Sequence, residues 1–230
     1  MRVAIIPARI GSKRIPKKNI KSFYGKPIIA WPIQKAIKSN LFDKVIVSTD
    51  SDEIADISSE YGAEILFKRP ETLADDYAGT TEVISHATKK LLELGHKVSD
   101  ICCIYATAAF VDNNDLKDGF ELLNQKKYSY VFSVVEFNKS IYRAFKLLDN
   151  NGFEMLFPEN YNSRSQDLEK IFCDAGQFYW ANYETWLKQE KIFTKKSKGI
   201  IIPNWRFHDI DNESDWIRAE LYYKLLNFHN

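Results

Sequence analysis

Short apolar runs alternate with longer segments of helical periodicity over roughly the first 135 residues of the chain. Polar residues follow each apolar run at once, as expected for strands that are buried on both faces of a sheet. The longer segments repeat apolar residues every three or four positions, as amphipathic helices do. The predicted strands are 3–7, 44–49, 64–68, 100–105, 128–135 and 199–202, and the predicted helices are 27–38, one that begins after Asp50 or Ser51, 80–94, 114–123 and 213–226.

This alternation predicts an α/β fold with a mainly parallel sheet and right-handed crossovers. In such sheets, ligands bind beyond the carboxyl ends of the strands. Three segments follow predicted strands in this way, namely 8–18, 48–50 and 105–111. We therefore expect the functional site to be built from these three segments.

The rhythm changes between about residues 136 and 180. Two short runs, 142–148 and 152–157, are separated by Asp149-Asn150-Asn151-Gly152, which is a strong turn signal. We interpret this region as a small antiparallel insertion within a single domain that covers 1–230. Its aromatic side chains either form a contact between subunits or fill a local core.

Composition narrows the functional class. The chain has 230 residues, of which 45% are apolar, and a formal net charge of +1. A general nucleic-acid-binding protein usually carries a strong basic excess, so we expect no nucleic-acid partner. No apolar stretch approaches the roughly 20 residues of a membrane span, and the N-terminus lacks a secretory signal. The three cysteines, Cys102, Cys103 and Cys173, lack zinc-site spacing, so we expect buried, reduced thiols in a cytoplasmic protein.

A basic segment directly follows the first predicted strand. Five cationic side chains lie between Arg9 and Lys18, and Gly11 and Ser12 are small enough for the backbone to approach a bound anion. The spacing matches neither a P-loop nor a dinucleotide-binding glycine motif. A solvated basic loop is the alternative. The position of the segment after the first strand of an α/β sheet favours triphosphate binding.

Two carboxylates, Asp209 and Asp211, alternate along a segment predicted to be extended, so they point to the same side. Mg2+ accepts one or two carboxylates and takes its other oxygen ligands from phosphates and water, so we predict a magnesium site here. The alternative for Asp211 is a helix N-cap, because an acidic first turn follows it, and the two roles can coexist. His208 would point away from Asp209, and no clear general base is found.

Two further segments carry weaker signals. In RPETLADDYAGTT, Arg69 could pair with the carbonyl edge of a base, and Thr80 or Thr81 could cap the helix that follows. In SRSQD, Arg164 and Gln166 lead towards an aromatic run and could hold the carboxylate of an acidic sugar. An ordinary surface loop and a buried aromatic strand would explain these segments as well.

Together, these four segments in this order resemble the family of CMP-sialic acid synthetases and related acylneuraminate cytidylyltransferases. The resemblance covers nearly the whole chain. IIPARIGSKRIPKKN is similar to the opening signature of the family, RPETLADDYAGTT to its second segment, and HDIDNESDW to its last. Within the family, SRSQDLEKIFCDAGQFYW looks most like the form that pseudaminic acid cytidylyltransferases use.

The resemblance implies a three-layer, Rossmann-like nucleotidyltransferase fold and a homodimer in which the insertion reaches the partner's active site. It implies that Asp209 and Asp211 are catalytic and bind Mg2+. The residues that it assigns to CTP are Arg9, Ser12, Lys13, Lys18, Asn19, Arg69 and Thr80, of which Arg9 and Lys18 are also catalytic. The residues assigned to the sugar are Tyr105, Arg164, Gln166, Asp174, Gln177 and Tyr179.

The sequence departs from the sialic acid enzymes at two places. Where they carry a QPTSPLR-like run, this chain has YATAAFV from Tyr105 to Val111, and their NGA-like run is Asp174-Ala175-Gly176 here. Both changes fall where the family contacts the sugar. Pseudaminic acid presents fewer hydroxyls than N-acetylneuraminic acid. A pocket that has Tyr105 in place of the family's Gln and Val111 in place of its Arg suits this sugar.

We therefore expect transfer of CMP from CTP to the anomeric hydroxyl of a nonulosonic acid, with pseudaminic acid as the preferred acceptor. Such products serve cell-surface glycans, including glycosylated flagellin. The alternatives are a synthetase for CMP-N-acetylneuraminate, CMP-legionaminate or CMP-Kdo, a sugar-1-phosphate nucleotidyltransferase, and a non-catalytic nucleotide-binding module.

Overall fold

A six-stranded sheet forms the centre of the computed structural model, which describes residues 1–137 and 141–227. Residues 138–140 of the predicted insertion and the last three residues of the predicted domain lie outside this description. The strands are β1 (Arg2–Pro7), β2 (Ser22–Phe23), β3 (Lys26–Pro27), β4 (Lys44–Ser48), β5 (Asp100–Ile104), β6 (Tyr130–Glu136), β7 (Phe145–Leu147), β8 (Phe153–Met155), β9 (Phe172–Asn182) and β10 (Ser197–Ile202). The order across the main sheet is β10-β6-β9-β5-β1-β4, and β2 with β3 and β7 with β8 form small antiparallel pairs.

Helices cover both faces of the sheet, which gives three layers. The α-helices are α1 (Ala30–Lys38), α2 (Asp52–Glu60), α3 (Thr80–Glu93), α4 (Asn113–Asn124), α5 (Tyr183–Leu187) and α6 (Glu213–Asn227). The 3-10 helices are Lys18–Ile20, Glu71–Leu73, Ile141–Arg143, Pro158–Asn160, Ser165–Asp167 and Asn204–Arg206. Ile33 of α1, Ile54 of α2 and Leu116 of α4 pack in the core on one face, and Ile84 of α3 and Trp186 of α5 pack on the other. The predicted three-layer α/β fold with a mainly parallel sheet is confirmed.

The strand β9 runs antiparallel to both of its neighbours, β5 and β6, in the middle of the sheet. Its residues Phe178, Tyr179, Trp180 and Ala181 are buried, so it is apolar on both faces. Gly119 of α4 lies against it, and a Cβ at this glycine would come within 2.9 Å of Trp180 Cδ1. The aromatic run that ends the predicted insertion is therefore a central strand of the main sheet.

The predicted hairpin is present in a shorter form, as β7 and β8. The turn between them follows the sequence signal, because Asn151 adopts a φ of 63° and donates its N–H to Leu148 O at 2.9 Å. Phe145, Leu147 and Phe153 of this hairpin are all more than half exposed. These aromatic and aliphatic side chains do not fill a local core, which leaves a surface contact as the open interpretation.

Several local predictions were wrong. The predicted strand 64–68 is reduced to one parallel bridge between Ile46 and Glu64. The helix predicted from 27 starts at Ala30, because the preceding residues pair as β2 and β3. Gly79, rather than Thr80 or Thr81, is the N-cap of α3, and Glu82 accepts the Gly79 N–H at 3.1 Å.

A third core lies between α6 and the carboxyl edge of the sheet. Ile15, Phe110, Ile210, Trp216 and Tyr223 pack together there. This cluster holds the basic segment, the loop after β5 and the Asp209–Asp211 segment against one another.

None of the helices in 1–137 and 141–227 is both long and apolar enough to cross a membrane. The prediction of buried thiols is confirmed for Cys102 and Cys103, whereas Cys173 is only half-buried.

Candidate active site

Loops at the carboxyl edge of the sheet enclose a cavity of about 540 Å³. Because β1, β4 and β5 are parallel neighbours, their carboxyl ends meet at this edge. The cavity is bounded by the loop after β1, the loop before α3 and the loop after β5. It is lined by all seven residues that the resemblance assigned to CTP, namely Arg9, Ser12, Lys13, Lys18, Asn19, Arg69 and Thr80. We call it the nucleotide cavity.

Asp76 pairs with two cations of the basic loop. Its carboxylate oxygens lie 2.6 Å from Arg9 Nη2 and 2.5 Å from Lys13 Nζ. Hydrogen bonds from Lys13 and Arg9 hold the pKa of Asp76 below its ordinary value. Arg9 also donates from Nη1 to Ala74 O at 3.4 Å. An internal carboxylate therefore neutralises cations that the sequence assigned to a triphosphate.

Internal hydrogen bonds fix the path of the basic loop. Asn19 donates from Nδ2 to Arg9 O at 2.9 Å, and Ile10 N donates to Asp50 Oδ1 at 3.4 Å. The N–H of Ser12 donates to Ile10 O at 2.8 Å, so it is already used. Phosphate binding by this loop would therefore depend on cationic side chains more than on the Ser12 N–H.

Lys18 has a different setting from its neighbour Lys17. Lys18 donates from Nζ to Ile210 O at 2.7 Å, and burial lowers its pKa. Lys17 adopts a left-handed backbone conformation with φ of 50° and pairs with the exposed side chain of Glu53 at 2.7 Å. Of these two adjacent lysines, only Lys18 lines the nucleotide cavity, and Lys17 lies on the exposed side of the loop.

Arg69 is held rigidly in the wall of the nucleotide cavity. It is only 4% exposed, and it donates to Ser48 O and, at 3.4 Å, to Leu73 O. Burial lowers its pKa to about 10, although the charge of Asp50 opposes this shift. Its buried Nε has no acceptor among the residues that the structure describes. A fixed guanidinium with an unused donor can recognise a planar carbonyl-containing group.

A second cavity of about 320 Å³ adjoins the first, and we call it the acceptor cavity. Lys18, Tyr105 and Thr107 line both cavities. Among the residues predicted to contact metal or sugar, those that line the acceptor cavity are Tyr105, Asp174, Gln177, Asp209 and Asp211. The two aspartates therefore border one space, but His208 and Ile210 border it too, so the predicted alternation of side chains stays a prediction.

Charge is concentrated around the two aspartates. Burial raises the pKa of Asp209, and the nearby charge of Asp211 raises it further. Arg14 Nη1 lies 2.6 Å from Asp211 Oδ2, and Lys18 Nζ lies 4.0 Å from Asp211 Oδ1. The predicted N-cap role of Asp211 is wrong, because Asn212 Oδ1 accepts the Asp215 N–H at 3.0 Å and caps α6.

The donor set at Asp209 and Asp211 fits a magnesium ion that is shared with a nucleotide. The two carboxylates repel each other, which a cation between them would relieve. Within the described residues, no three His, Cys, Asp or Glu side chains converge as a metal site. Protein groups alone would thus leave most ligand positions to phosphate oxygens and water, which is the usual arrangement for Mg2+.

A chain of hydroxyl groups joins the two cavities. Thr80 Oγ1 lies 2.7 Å from Tyr105 Oη, and the Tyr105 and Tyr179 rings are 5.3 Å apart. Tyr179 Oη donates to Asp174 Oδ2 at 2.6 Å. Burial raises the pKa of Tyr105 to about 12, so this tyrosine stays protonated at neutral pH. Tyr179 supports Asp174 and does not line the acceptor cavity itself.

Three residues linked to the sugar by sequence lie elsewhere in this chain. Arg164 is largely exposed and pairs with Asp167 at 2.8 Å, and the nearby Gln166 is also exposed. Neither lines the nucleotide or the acceptor cavity. Val111 is buried in the core on the α4 side. The presence of valine where the sialic acid enzymes carry arginine therefore does not change the shape of the acceptor cavity directly. Phe110 lines the cavity instead.

Sequence reasoning missed Arg206 at the acceptor cavity, and it expected His208 to point away from Asp209, although both line this cavity. Arg206 lines it and forms a buried ion pair with Asp115. The partners are 91 positions apart, so no local pattern links them. His208 also lines this cavity, where its ring packs against Phe110 and Tyr222 and its Nε2 lies 3.0 Å from Trp205 O. Its aromatic contacts give it a packing role.

The fold and the paired cavities at the carboxyl edge of its sheet are typical of α/β enzymes that bind nucleotides. A known structure of CMP:2-keto-3-deoxy-manno-octonic acid synthetase complexed with CTP has the same fold. Its TM-score is 0.72 at 13% identity, over 98% of this chain and 99% of that one. The profile of the cytidylyltransferase family matches residues 3–215. The chain belongs to this cytidylyltransferase family.

Two relatives refine the comparison. The pseudaminic acid cytidylyltransferase of Campylobacter jejuni strain 81-176 is 40% identical over 223 residues, which is 97% of this chain and 96% of the relative. The N-acylneuraminate cytidylyltransferase of Escherichia coli O18:K1:H7 is 32% identical over 215 residues, which is 93% of this chain and 50% of the relative.

Proposed function

We propose that this chain transfers CMP from CTP to the anomeric hydroxyl of pseudaminic acid and releases pyrophosphate. The observation that carries the proposal is the 40% identity to the Campylobacter jejuni pseudaminic acid cytidylyltransferase over 97% of this chain. The geometry supports it, because the residues assigned to CTP line one cavity and several assigned to the sugar line its neighbour.

The reaction would take place where the two cavities adjoin, beside Lys18 and Tyr105. The anomeric oxygen forms a bond to the α-phosphorus of CTP, the bond from that phosphorus to the oxygen shared with the β-phosphorus breaks, and the hydroxyl proton passes to solvent. Arg9 and Lys13 would offset the charge of the departing pyrophosphate once Asp76 is displaced from them. The contribution of the protein is chiefly positioning and charge stabilisation.

Asp209 and Asp211 would hold Mg2+ in this scheme. When bound, the ion supplies charge neutralisation at phosphate and lowers the pKa of a neighbouring hydroxyl. The two carboxylates would hold the ion at the acceptor cavity, which they line, and Lys18, which lines both cavities, lies 4.0 Å from Asp211. Arg14 and Lys18 balance their charge before ligands arrive.

A homodimer would complete the sugar site. The exposed apolar residues of the β7–β8 hairpin suit a contact with a second copy, and such a contact could bring Arg164 and Gln166 to the partner's acceptor cavity. Sedimentation of the cytoplasmic protein tests this. We expect a dimer that Phe153→Ser weakens, and a monomer at micromolar concentration would contradict it.

The function is tested by following pyrophosphate release from CTP and Mg2+ with pseudaminic, N-acetylneuraminic and legionaminic acids and Kdo as acceptors. We expect the highest kcat/KM with pseudaminic acid. Equal turnover of N-acetylneuraminic acid would make the assignment of the acceptor wrong, and no release with any acid would favour a non-catalytic nucleotide-binding module. Asp209→Asn should abolish most turnover at unchanged melting temperature, whereas Asp118→Asn on the exposed side of α4 should not.

A further inference from the structure

The ion pair between Arg206 and Asp115 is the most buried in the described part of the chain. Arg206 Nη1 lies 2.5 Å from Asp115 Oδ2, and Nη2 lies 3.2 Å from Oδ1, so the guanidinium makes two parallel bonds. The side chains are only 13% and 12% exposed. Other ion pairs of the described residues, such as Lys18–Asp211, leave at least one partner more open to solvent.

The position of this pair matters more than its contribution to stability. Replacing a buried ion pair by apolar residues is often neutral or stabilising, because the charges lose their hydration on burial. Burial accordingly raises the pKa of Asp115. The pair joins the first turn of α4 to the 3-10 helix that ends at Arg206, three residues before Asp209.

Arg206 also fixes the amide of Gln177. The backbone oxygen of Arg206 accepts a hydrogen bond from Gln177 Nε2 at 2.7 Å, and Gln177 is 4% exposed. The Gln177 backbone is held as well, by Ser133 Oγ at 3.1 Å and by Tyr105 N at 3.0 Å. Gln177 Oε1 is buried and has no donor among the described residues. Since Gln177 lines the acceptor cavity, a bound molecule can supply that donor.

The geometry points to Arg206 and Asp115 as positioning residues for the acceptor. The Arg206 backbone oxygen holds the amide nitrogen of Gln177, which fixes the orientation of the amide. The amide oxygen of Gln177 is then left to accept a hydrogen bond from an N–H or O–H of the bound sugar. They also fix the segment that leads to Asp209. This inference rests on the proposed function and adds a requirement for a hydrogen-bond donor on the sugar opposite Gln177.

The test combines Arg206→Met with Asp115→Leu, which removes both charges together. The control combines Lys117→Gln with Glu121→Gln, an exposed pair on the same helix whose charged atoms are 3.9 Å apart. KM and kcat are measured for pseudaminic acid and for CTP, and folding is checked by thermal melting. We expect the KM for the acceptor to rise by about tenfold to a hundredfold with the KM for CTP nearly unchanged. The control should match the wild type. An acceptor KM like that of the wild type, or an equal rise in both KM values, overturns the inference.

A cycle with Gln177→Met tests whether the ion pair acts through Gln177. If it does, adding Gln177→Met to the double variant causes little further loss, and fully additive losses overturn the inference. Should the double variant not fold, Arg206→Lys keeps the charge but loses the two-bond geometry, and an unchanged acceptor KM again overturns it. If the wild type turns over pseudaminic acid and the variants have the same acceptor KM, this inference alone is rejected. No turnover by the wild type rejects the proposed function, and this inference with it.

Discussion

Replacing Lys18 by methionine should damage the reaction far more than the same replacement at Lys17. Both changes remove one positive charge from the same loop and keep a similar side-chain length. Lys18 Nζ is bonded to Ile210 O and lines both cavities, whereas Lys17 pairs with Glu53 on the exposed side of the loop. The pair therefore separates the effect of position from that of charge.

The magnitude follows from the contacts of Lys18, whose side chain is 21% exposed. A hydrogen bond from a charged group contributes about 1.5–3 kcal/mol. Lys18→Met removes the bond to Ile210 O and the bond that Nζ would offer to phosphate. Only the phosphate bond is made on binding, so its loss of about 1.5–3 kcal/mol corresponds to about a tenfold to 150-fold fall in kcat/KM, whereas the lost bond to Ile210 O lowers the free energy of unfolding. The exposed Lys17–Glu53 pair contributes at most about 1 kcal/mol, so Lys17→Met should change kcat/KM little.

The assay is continuous detection of pyrophosphate with CTP, Mg2+ and pseudaminic acid, alongside calorimetric titration of CTP and thermal melting. We expect kcat/KM to fall for Lys18→Met while the variant still folds, and the shift of its melting temperature reports the lost bond to Ile210 O separately. Equal effects of the two substitutions would refute the reasoning, because they would show that the overall charge of the loop matters and the position of Lys18 does not.

Three other substitutions probe the nucleotide cavity and the core. Asp76→Asn should tighten the binding of inorganic tripolyphosphate, measured by calorimetry, because the cations lose their internal counter-ion, and weaker binding would contradict this. Arg69→Lys should weaken CTP binding in the same assay, because an ammonium cannot reproduce the contacts of the buried guanidinium. Gly119→Ala should lower the free energy of unfolding by up to about 2 kcal/mol in urea titrations, because a clash with Trp180 outweighs a gain of about 1 kcal/mol in helix propensity. A more stable variant would refute the last prediction.

The sequence was most informative where chemistry and chain order coincide. The basic segment after β1 and the Arg69 segment approach each other because parallel strands end at one edge, and all seven residues assigned to CTP line one cavity. Asp209 and Asp211 both line the acceptor cavity, but so do His208 and Ile210, so the cavity does not test their alternation. The convergence of the basic segment and the Arg69 segment follows from strand direction alone.

Long-range pairing and strand direction were beyond the sequence signals. An apolar run such as Phe178–Ala181 suits a buried strand of either direction, so the antiparallel placement of β9 could not be inferred. The Arg206–Asp115 pair depends on two loops that meet only in the folded chain. The segment 64–68 has strand-like composition, but only Glu64 forms a bridge to β4.

The central place of β9 also has a consequence for the order of folding. The strand joins β5, with β1 and β4 beyond it, to β6 and β10, yet it follows β6 only after a long excursion through the hairpin. During synthesis, the β5–β1–β4 half of the sheet and the lone strand β6 therefore keep open edges until residues 172–182 emerge, and β10 follows later still. Closure of the long loop between β6 and β9 should be a slow folding step. A chain interrupted before β9 would expose strand edges that are prone to aggregation.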